Sequence, residues 1–424
     1  MELLGIKLDL VRAKELEHKY EGKLLESQEI LDRIVEKYHD KIAKHLKLQP
    51  LIIKTGFNLN SPTQLQYLLY EIWKLPKIDG TSTGKATLEG LLQENIKEEY
   101  KLFLQTLLEY KQNQKLLTAF IQKLPSEVKE DGCIHGRFNQ TGTATGRFSS
   151  SDPNLQQLPS RAGDIRGMFC AREGNIFIGS DYSQIEVRVT ASFSKDPTML
   201  HAYETGEDLY SKMASEIHGL PYEACMEFNP ITGELQKEGK KLRSNTKSIL
   251  LGLLYGRQAK SIGEQINVPE KEAQELVDSF FKSFPKIKEL DKITKLGASQ
   301  NGYITTICGR KRRLPDIKSR DRWSKARAER QCLNAMIQGS SADCMKLAMI
   351  SIHNNKRLRE LNAKLVLTVH DEVEIECPVE HAKEVADIMT TIMKDIGENL
   401  FNIKMKCDEE FMFRWGEPID IDNL

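Results

Sequence analysis

The stretch Thr368-Val369-His370-Asp371-Glu372-Val373-Glu374-Ile375-Glu376 follows the apolar run Leu365-Val366-Leu367, and Val373 and Ile375 continue an alternation beyond the acidic pair. This pattern reads as a β-hairpin with Asp371 and Glu372 at or near its turn. Adjacent carboxylates cannot both be buried unpaired, so water, a cation or a basic partner must compensate them. A solvated acidic turn meets that requirement as well as a metal site does. A second strand, Ile176-Phe177-Ile178-Gly179-Ser180-Asp181-Tyr182-Ser183, also ends in a carboxylate. Two strand-end acids from distant parts of one chain suggest a shared metal.

At 424 residues the chain can hold two or three substructures around a large core. Its 61 Lys and Arg balance 61 Asp and Glu, so the formal net charge is zero. Global charge predicts no polyanion partner, and a nucleic-acid surface therefore requires local clustering. No apolar run approaches the roughly 18 to 20 residues that cross a bilayer, and Met1 opens a mixed charged segment with no secretory pattern. The expectation is a soluble intracellular protein with no membrane partner. The eight cysteines, Cys133, Cys170, Cys225, Cys308, Cys332, Cys344, Cys377 and Cys407, include no CxxC pair and no zinc-spaced histidine. Reduced thiols without a structural zinc are expected.

Apolar residues at helical spacing run from about Leu10 to Leu48. Ser61-Pro62 offers an N-cap and a first-position proline to a helix carrying Leu65, Leu68, Leu69 and Ile72. Gly80-Thr81-Ser82-Thr83-Gly84-Lys85 falls short of a P-loop, because its glycines stand too close, Ala86 replaces Ser or Thr, and no apolar strand precedes it. A loop is expected there. Glu98 to Leu124 reads as a second long helical stretch, with Lys111 and Lys115 one turn apart on one face. Phe138 to Gln156 is rich in Gly, Thr, Ser, Asn and Gln and nearly free of acids. Such amides and hydroxyls, with Arg147, suit phosphate, sugar or minor-groove acceptors, or make a plain polar loop.

Helical pieces joined at Gly206, Gly219-Leu220-Pro221 and Pro230-Ile231-Thr232-Gly233 lead to a run from Arg243 to Gly256. In a helix ended by Gly256, the residues Arg243, Lys247, Leu251 and Tyr255 form one stripe. Cation, cation, apolar, aromatic is an order that can meet a triphosphate at one end and a flat ring at the other. An amphipathic helix with solvated cations fits the same residues. Gly302 to Pro315 predicts a hairpin with a basic tip, and Lys318, Arg320, Arg322, Lys325, Arg327 and Arg330 supply the local positive charge. Along the next helix, Ala326 to Asn354, the polar residues Arg330, Asn334 and Gln338 recur at four-residue spacing. The acidic hairpin, a helix from Val379 to Leu400 and an aromatic strand near Phe411-Met412-Phe413-Arg414-Trp415 close the chain.

Together these segments resemble the polymerase domain of family A DNA polymerases, the bacterial DNA polymerase I group, over nearly the whole chain. Asp181-Tyr182-Ser183-Gln184-Ile185-Glu186 is similar to the first palm motif, Arg243 to Gly256 to the fingers helix, and Val369-His370-Asp371-Glu372 to the second palm motif. Supporting blocks are Thr143 to Arg147, Ser150 to Gln156, Gln338-Gly339 with Ala342-Asp343, and Asn58 to Ser61. The resemblance implies an α+β right-hand polymerase fold with an antiparallel palm sheet, helical fingers and a helical thumb. It divides the chain into an N-terminal lead and thumb (1–135), a first part of the palm (136–192), fingers and connecting helices (193–350) and a second part of the palm (351–424).

The implied activity is template-directed DNA synthesis by a monomeric enzyme whose partners are primer-template DNA and dNTPs. Attack of a primer 3′-hydroxyl on an α-phosphorus calls for two Mg²⁺ ions about 3.5 to 4 Å apart, with Mn²⁺ as a substitute. By resemblance Asp181, the Tyr182 carbonyl and Asp371 are the metal ligands, and Glu372 is an orienting acid beside them. Arg243 and Lys247 take the β- and γ-phosphates, with Lys247 also a proton donor to pyrophosphate. Leu251, Tyr255, Gln184 and Tyr210 complete the nucleotide pocket, and Glu186 stands where a ribose 2′-hydroxyl would fall, paired with Tyr255. Arg147, Asn154, Gln156, Arg330, Asn334, Gln338 and His370 become primer-terminus and minor-groove contacts, which test pair shape because minor-groove acceptors are degenerate. Lys111 and Lys115 hold backbone phosphate.

The sequence departs from the family in three places. Leu251 replaces the usual Phe or Tyr and cannot stack as a ring does. Asp208-Leu209-Tyr210 replaces Asp-Ile-His, putting a neutral phenol in place of a phosphate-binding histidine. Residues 226 to 240 look like a short insertion. The homology begins at Gly5-Ile6-Lys7-Leu8-Asp9, so neither a 5′-nuclease nor a proofreading exonuclease is expected in this chain. Rival readings are a reverse-transcribing or lesion-bypassing variant, and a catalytically weak primer-template-binding subunit. Intact Asp181, Asp371, Arg243, Lys247 and Tyr255 speak against the last. A bacterial or phage host would place the enzyme in the cytoplasm with the nucleoid, and an organelle stays open.

Overall fold

The computed structural model describes residues 1–45, 57–159 and 163–423. The chain divides into two compact units, one of Lys7–Ile134 with Leu158–Cys170, the other of Met1–Ile6, His135–Gln157 and Ala171–Leu424.

The first unit is helical. Its opening helix Leu10–Val35 starts at Asp9, whose carboxylate accepts from the backbone N–H of Val11 and Arg12. The long helical run expected to Leu48 continues through a tight turn and the helix His39–His45, and residues 46–48 lie outside the described residues. Ser61 caps Pro62–Gln66, accepting from the N–H of Gln64 at 3.4 Å. The loop expected over Gly80 to Lys85 is shorter, because Gly80 and Thr81 close the strand Ile78–Thr81 and Lys85 opens the helix Lys85–Leu91. Ser82 fixes the join, its carbonyl accepting from the Tyr70 hydroxyl at 2.6 Å and its Oγ from the N–H of Gly84 at 3.2 Å. The unit's core is apolar and aromatic, with Trp73 stacked on Tyr100 at 4.2 Å.

The second unit is built on a five-stranded antiparallel sheet. Its strands are β1 (Asn175–Tyr182), β2 (Lys364–Val369), β3 (Glu372–Pro378), β4 (Cys407–Arg414) and β5 (Glu417–Ile419), in the order β5-β4-β1-β3-β2. Side chains alternate between the faces of a strand, and here the acids near the end of β1 gather on one face. Ile176, Ile178, Tyr182, Val373, Ile375 and Cys377 lie on the other face and join the core formed with the helices α1 (Ile185–Ser194) and α5 (Ala382–Phe401). The first face takes Asp181 and the acids beside it. At full burial such an apolar side chain contributes on the order of 1.5 to 3 kcal/mol, so a slip by one residue, which would swap the faces, is strongly disfavoured.

Helices α2 (Leu209–His218), α3 (Lys237–Leu254) and α4 (Arg322–Asn354) complete the parts that concern the site. Because α3 begins at Lys237, the last four residues of the expected insertion are its first turn, and the remainder folds back on itself through a bridge between Phe228 and Leu235. Helix α4 starts four residues before the expected Ala326, since Asp321 caps it by accepting from the N–H of Ser324 at 2.8 Å. The basic hairpin expected from Gly302 pairs Tyr303–Thr305 with Lys311–Arg313. No helix among the described residues is long and apolar enough to cross a membrane.

Candidate active site

The β2–β3 hairpin turns through only His370 and Asp371, since Val369 already faces Glu372. His370 takes a left-handed φ of 57°, a conformation that non-glycine residues adopt at some cost in strain. The turn delivers Asp371 to the end of β1, where its carbonyl accepts from the N–H of Tyr182 at 3.2 Å. Register does the rest. Glu372 of β3 and Asp408 of β4 both face Asp181 of β1, so three carboxylates stand side by side on one face with Asp371 at its edge.

Burial pushes the Asp181 carboxyl up to about 6, helped by the charges of Asp371, Asp408, Glu372 and Glu410. Asp408 is paired with Lys406 at 2.7 Å, but among the described residues Asp181, Asp371 and Glu372 have no basic partner. Like charges directly opposed on a sheet are destabilising, so this end of the sheet has the electrostatics of a cation site. Among the described residues no three His, Cys, Asp or Glu side chains converge to hold a metal unaided. Two carboxylates and a backbone carbonyl nevertheless fit a hard divalent ion such as Mg²⁺, which keeps water and substrate phosphates among its ligands. Tyr182 is anchored beneath, its hydroxyl donating to the carbonyl of Met393 at 2.7 Å.

The chain leaves β1 and enters α1 through Gln184, which also has a left-handed φ, of 58°. Its side-chain oxygen accepts from the Tyr203 hydroxyl at 3.2 Å. One residue inside α1, Glu186 is buried and paired with Arg147 at 2.5 Å. Tyr255 completes this group. Burial, the charge of Glu186 and a hydrogen bond to it push the Tyr255 hydroxyl up to about 12. Arg147, expected as a DNA contact, is thus tied to Glu186 in this structure.

On α3 the expected stripe is present, with Lys247 and Tyr255 exposed and Arg243 and Leu251 half-buried. Arg243 is engaged, its Nε and Nη2 both donating to the Asp208 carboxylate at 2.9 Å. Burial opposes ionisation of Asp208, yet hydrogen bonds from Arg243 and Ser211 hold its carboxyl below the ordinary value. The expected phosphate-donor Tyr210 is buried, and its ring lies 5.5 Å from the Arg243 guanidinium and 5.6 Å from Lys247 Nζ. It supports the two cations from below by cation–π attraction.

Sequence reasoning assigned no role to Arg310, which ties three segments together. Its Nε donates to Asp343 at 2.9 Å, and Nη2 donates to the carbonyls of Thr145 at 2.8 Å and Gly339 at 2.9 Å. A Cβ at Gly146 would come within 2.4 Å of the guanidinium. Arg310 therefore fixes the backbone that presents Arg147. Asp208 and Asp408 are two further residues without an assigned role. A carboxylate just before an apolar helix start was the available signal for Asp208, whereas Asp408 gains meaning only from strand pairing.

The remaining candidates fall in other parts of the chain. Gln156 donates to the carbonyl of Thr368 at 3.0 Å, and Asn154 accepts from the N–H of Gln156 at 3.1 Å. Arg330 and Asn334 line a cavity of about 210 Å³ together with Tyr255 and Gly256. Gln338 is half-buried on α4, and His370 is exposed at the turn. Lys111 and Lys115 belong to the first unit, where burial lowers the Lys111 ammonium.

Comparison with known proteins gives this geometry a setting. In the POL domain of Pol1 from M. smegmatis, solved in complex with DNA primer-template and dNTP, 68% of the chain aligns with 98% of this one at a TM-score of 0.84 and 30% identity. The fold is therefore the α+β fold of a polymerase domain. The sequence profile of DNA polymerase family A matches residues 27–417, and the chain belongs to that family. It is 38% identical to DNA polymerase I of Caldicellulosiruptor bescii over 85% of this chain and 41% of that protein. With the thermostable DNA polymerase I of Thermus aquaticus the identity is 35% over 93% and 44% respectively. The chain spans less than half the length of these relatives.

Proposed function

We propose that the chain is a DNA-directed DNA polymerase that adds deoxynucleotides to a primer 3′ end. One observation carries this reading: register and turn bring Asp181, Asp371 and Glu372 together without a basic partner among the described residues. Two Mg²⁺ ions, or Mn²⁺, would supply activation of the primer hydroxyl and neutralise the transferring phosphate. Asp181, Asp371 and the Tyr182 carbonyl are the groups that would hold them, and Glu372 orients what they bind. Arg243 and Lys247 donate to the triphosphate, Lys247 holding the proton for the leaving pyrophosphate. Glu186, fixed by Arg147 and Tyr255, closes the space of a 2′-hydroxyl and so selects deoxynucleotides. The M. smegmatis domain, solved with primer-template and dNTP, supports the same two substrates here. The thumb, palm and fingers divisions and a monomeric, cytoplasmic enzyme belong to this reading.

Primer extension with Mg²⁺ by the wild type and by Asp371→Ala tests it, with primer-template affinity measured alongside. The expected result is extension by the wild type alone at equal affinity. Robust synthesis by the variant would overturn the assignment of the site.

A further inference from the structure

Trp323 is the one tryptophan among the three in the chain that lies in the open, 83% exposed against 6% for Trp73 and 1% for Trp415. It occupies the first turn of α4, inside a run from Lys318 to Arg330 that holds six basic residues and two acids. Both acids are already engaged, Asp321 as the helix cap and Glu329 with Lys325 at 4.0 Å. Among the described residues Arg320, Arg322, Arg327 and Arg330 make no ion pair or side-chain hydrogen bond, and the first three are exposed. An indole in water amid uncommitted guanidinium groups buries nothing for the fold. It is suited to stack on a flat, anionic partner.

The helix gives that surface a direction. Residues 323, 327, 330 and 334 fall on one face of α4, and Arg327, Arg330 and Asn334 line the 210 Å³ cavity that also contains Tyr255 and Gly256. Gly256 packs directly on this face, since a Cβ there would come within 2.5 Å of the Arg330 carbonyl, and its φ of +72° already favours glycine. The stripe therefore starts at the base end of the candidate nucleotide pocket and runs outward to Trp323. At 1.5 Å rise per residue, Trp323 stands about 10 Å along the helix from Arg330. That is about three nucleotide steps of a stacked strand.

We infer that Trp323, flanked by Arg320, Arg322 and Arg327, is a stacking platform for unpaired template DNA about three nucleotides ahead of the base pocket. This rests on the polymerase reading, which supplies the template. Guanidinium groups hold the backbone phosphates in a sequence-independent and salt-sensitive way, and the indole takes one base.

Fluorescence separates the two readings, because the other two tryptophans are buried. The full chain is titrated with primer-templates whose 5′ template overhangs are about one and about six nucleotides long, and primer extension is recorded on both. The expected result is quenching of Trp323 emission by the long overhang only. Trp323→Ala should bind the long-overhang substrate roughly ten-fold more weakly and the short one equally well, while Trp323→Phe should recover most of the loss. Quenching that ignores overhang length, or equal affinity of Trp323→Ala and wild type for both substrates, overturns the platform while extension leaves the polymerase reading standing. Loss of extension on every substrate by the wild type, with overhang-dependent quenching retained, overturns the polymerase reading and leaves a single-strand site.

Discussion

On the sheet, Asp181, Asp371 and Glu372 stand together with no basic partner among the described residues, whereas on α3 Arg243 is held through two hydrogen bonds to Asp208. The first region carries unresolved repulsion, which adds to burial in raising the Asp181 carboxyl to about 6. The second has resolved its charge internally and gains fixed geometry in exchange. A guanidinium already oriented by a bidentate acid loses little further freedom when an anion arrives, although it must share its donors. The sheet is thus organised to acquire charge from outside, and the helix to present charge already in place.

The largest effect that would break this contrast comes from the acids. Asp181→Ala and Asp371→Ala should each lower single-turnover primer extension by about a thousand-fold or more, the scale of several kcal/mol of charge stabilisation. In metal-free buffer their melting temperatures should equal or exceed that of the wild type, because each removes a like charge. A marked fall in melting temperature would show that the acids are compensated after all. Lys247→Ala should slow extension by about a hundred-fold at saturating dNTP, the usual worth of a positioned proton donor.

Asp208→Asn sharpens the other side. It should raise the KM for dNTP by about ten-fold with little change in kcat, as loss of orientation rather than of chemistry. A fall in KM would show that Asp208 competes with substrate for Arg243. The pair is about a quarter exposed on each side, 27% and 28%, so its loss should cost only about 1 kcal/mol in unfolding. The smallest effect is in pH. Asp208 has a depressed folded value, so its stabilisation is complete above the ordinary aspartate value of 3.8 and is lost as pH falls through the lower folded one. The melting difference between wild type and Asp208→Asn should therefore hold steady from about pH 7 to about pH 5 and close in stronger acid.

How much of the molecule is legible in the sequence follows the range of the interactions. The β2–β3 hairpin and the Arg243 to Tyr255 stripe are written in periods of two and four, and both elements form where those periods place them. The Asp208–Arg243 pair joins residues 35 apart, and Arg310 reaches Thr145 across 165 positions. No local pattern encodes either. Asp408 illustrates the same limit on the sheet, because Cys407-Asp408-Glu409-Glu410 alternates poorly and only its register against β1 sets the carboxylate beside Asp181. Tyr210 was legible as a departure but not as a buried ring, since burial is a property of its neighbours.

The left-handed residue Gln184 joins β1 to α1 in a single reversal, with Asp181 just before it and Glu186 just after. The acid proposed to hold metal and the acid proposed to inspect the sugar are therefore the two arms of one short rigid bracket, clamped by the sheet on one side and by a buried helix on the other. Any displacement that loosened the inspection of the incoming sugar would also misalign the chemistry. Selectivity and turnover at this corner are mechanically inseparable, and an attempt to relax one by mutation should be paid for in the other.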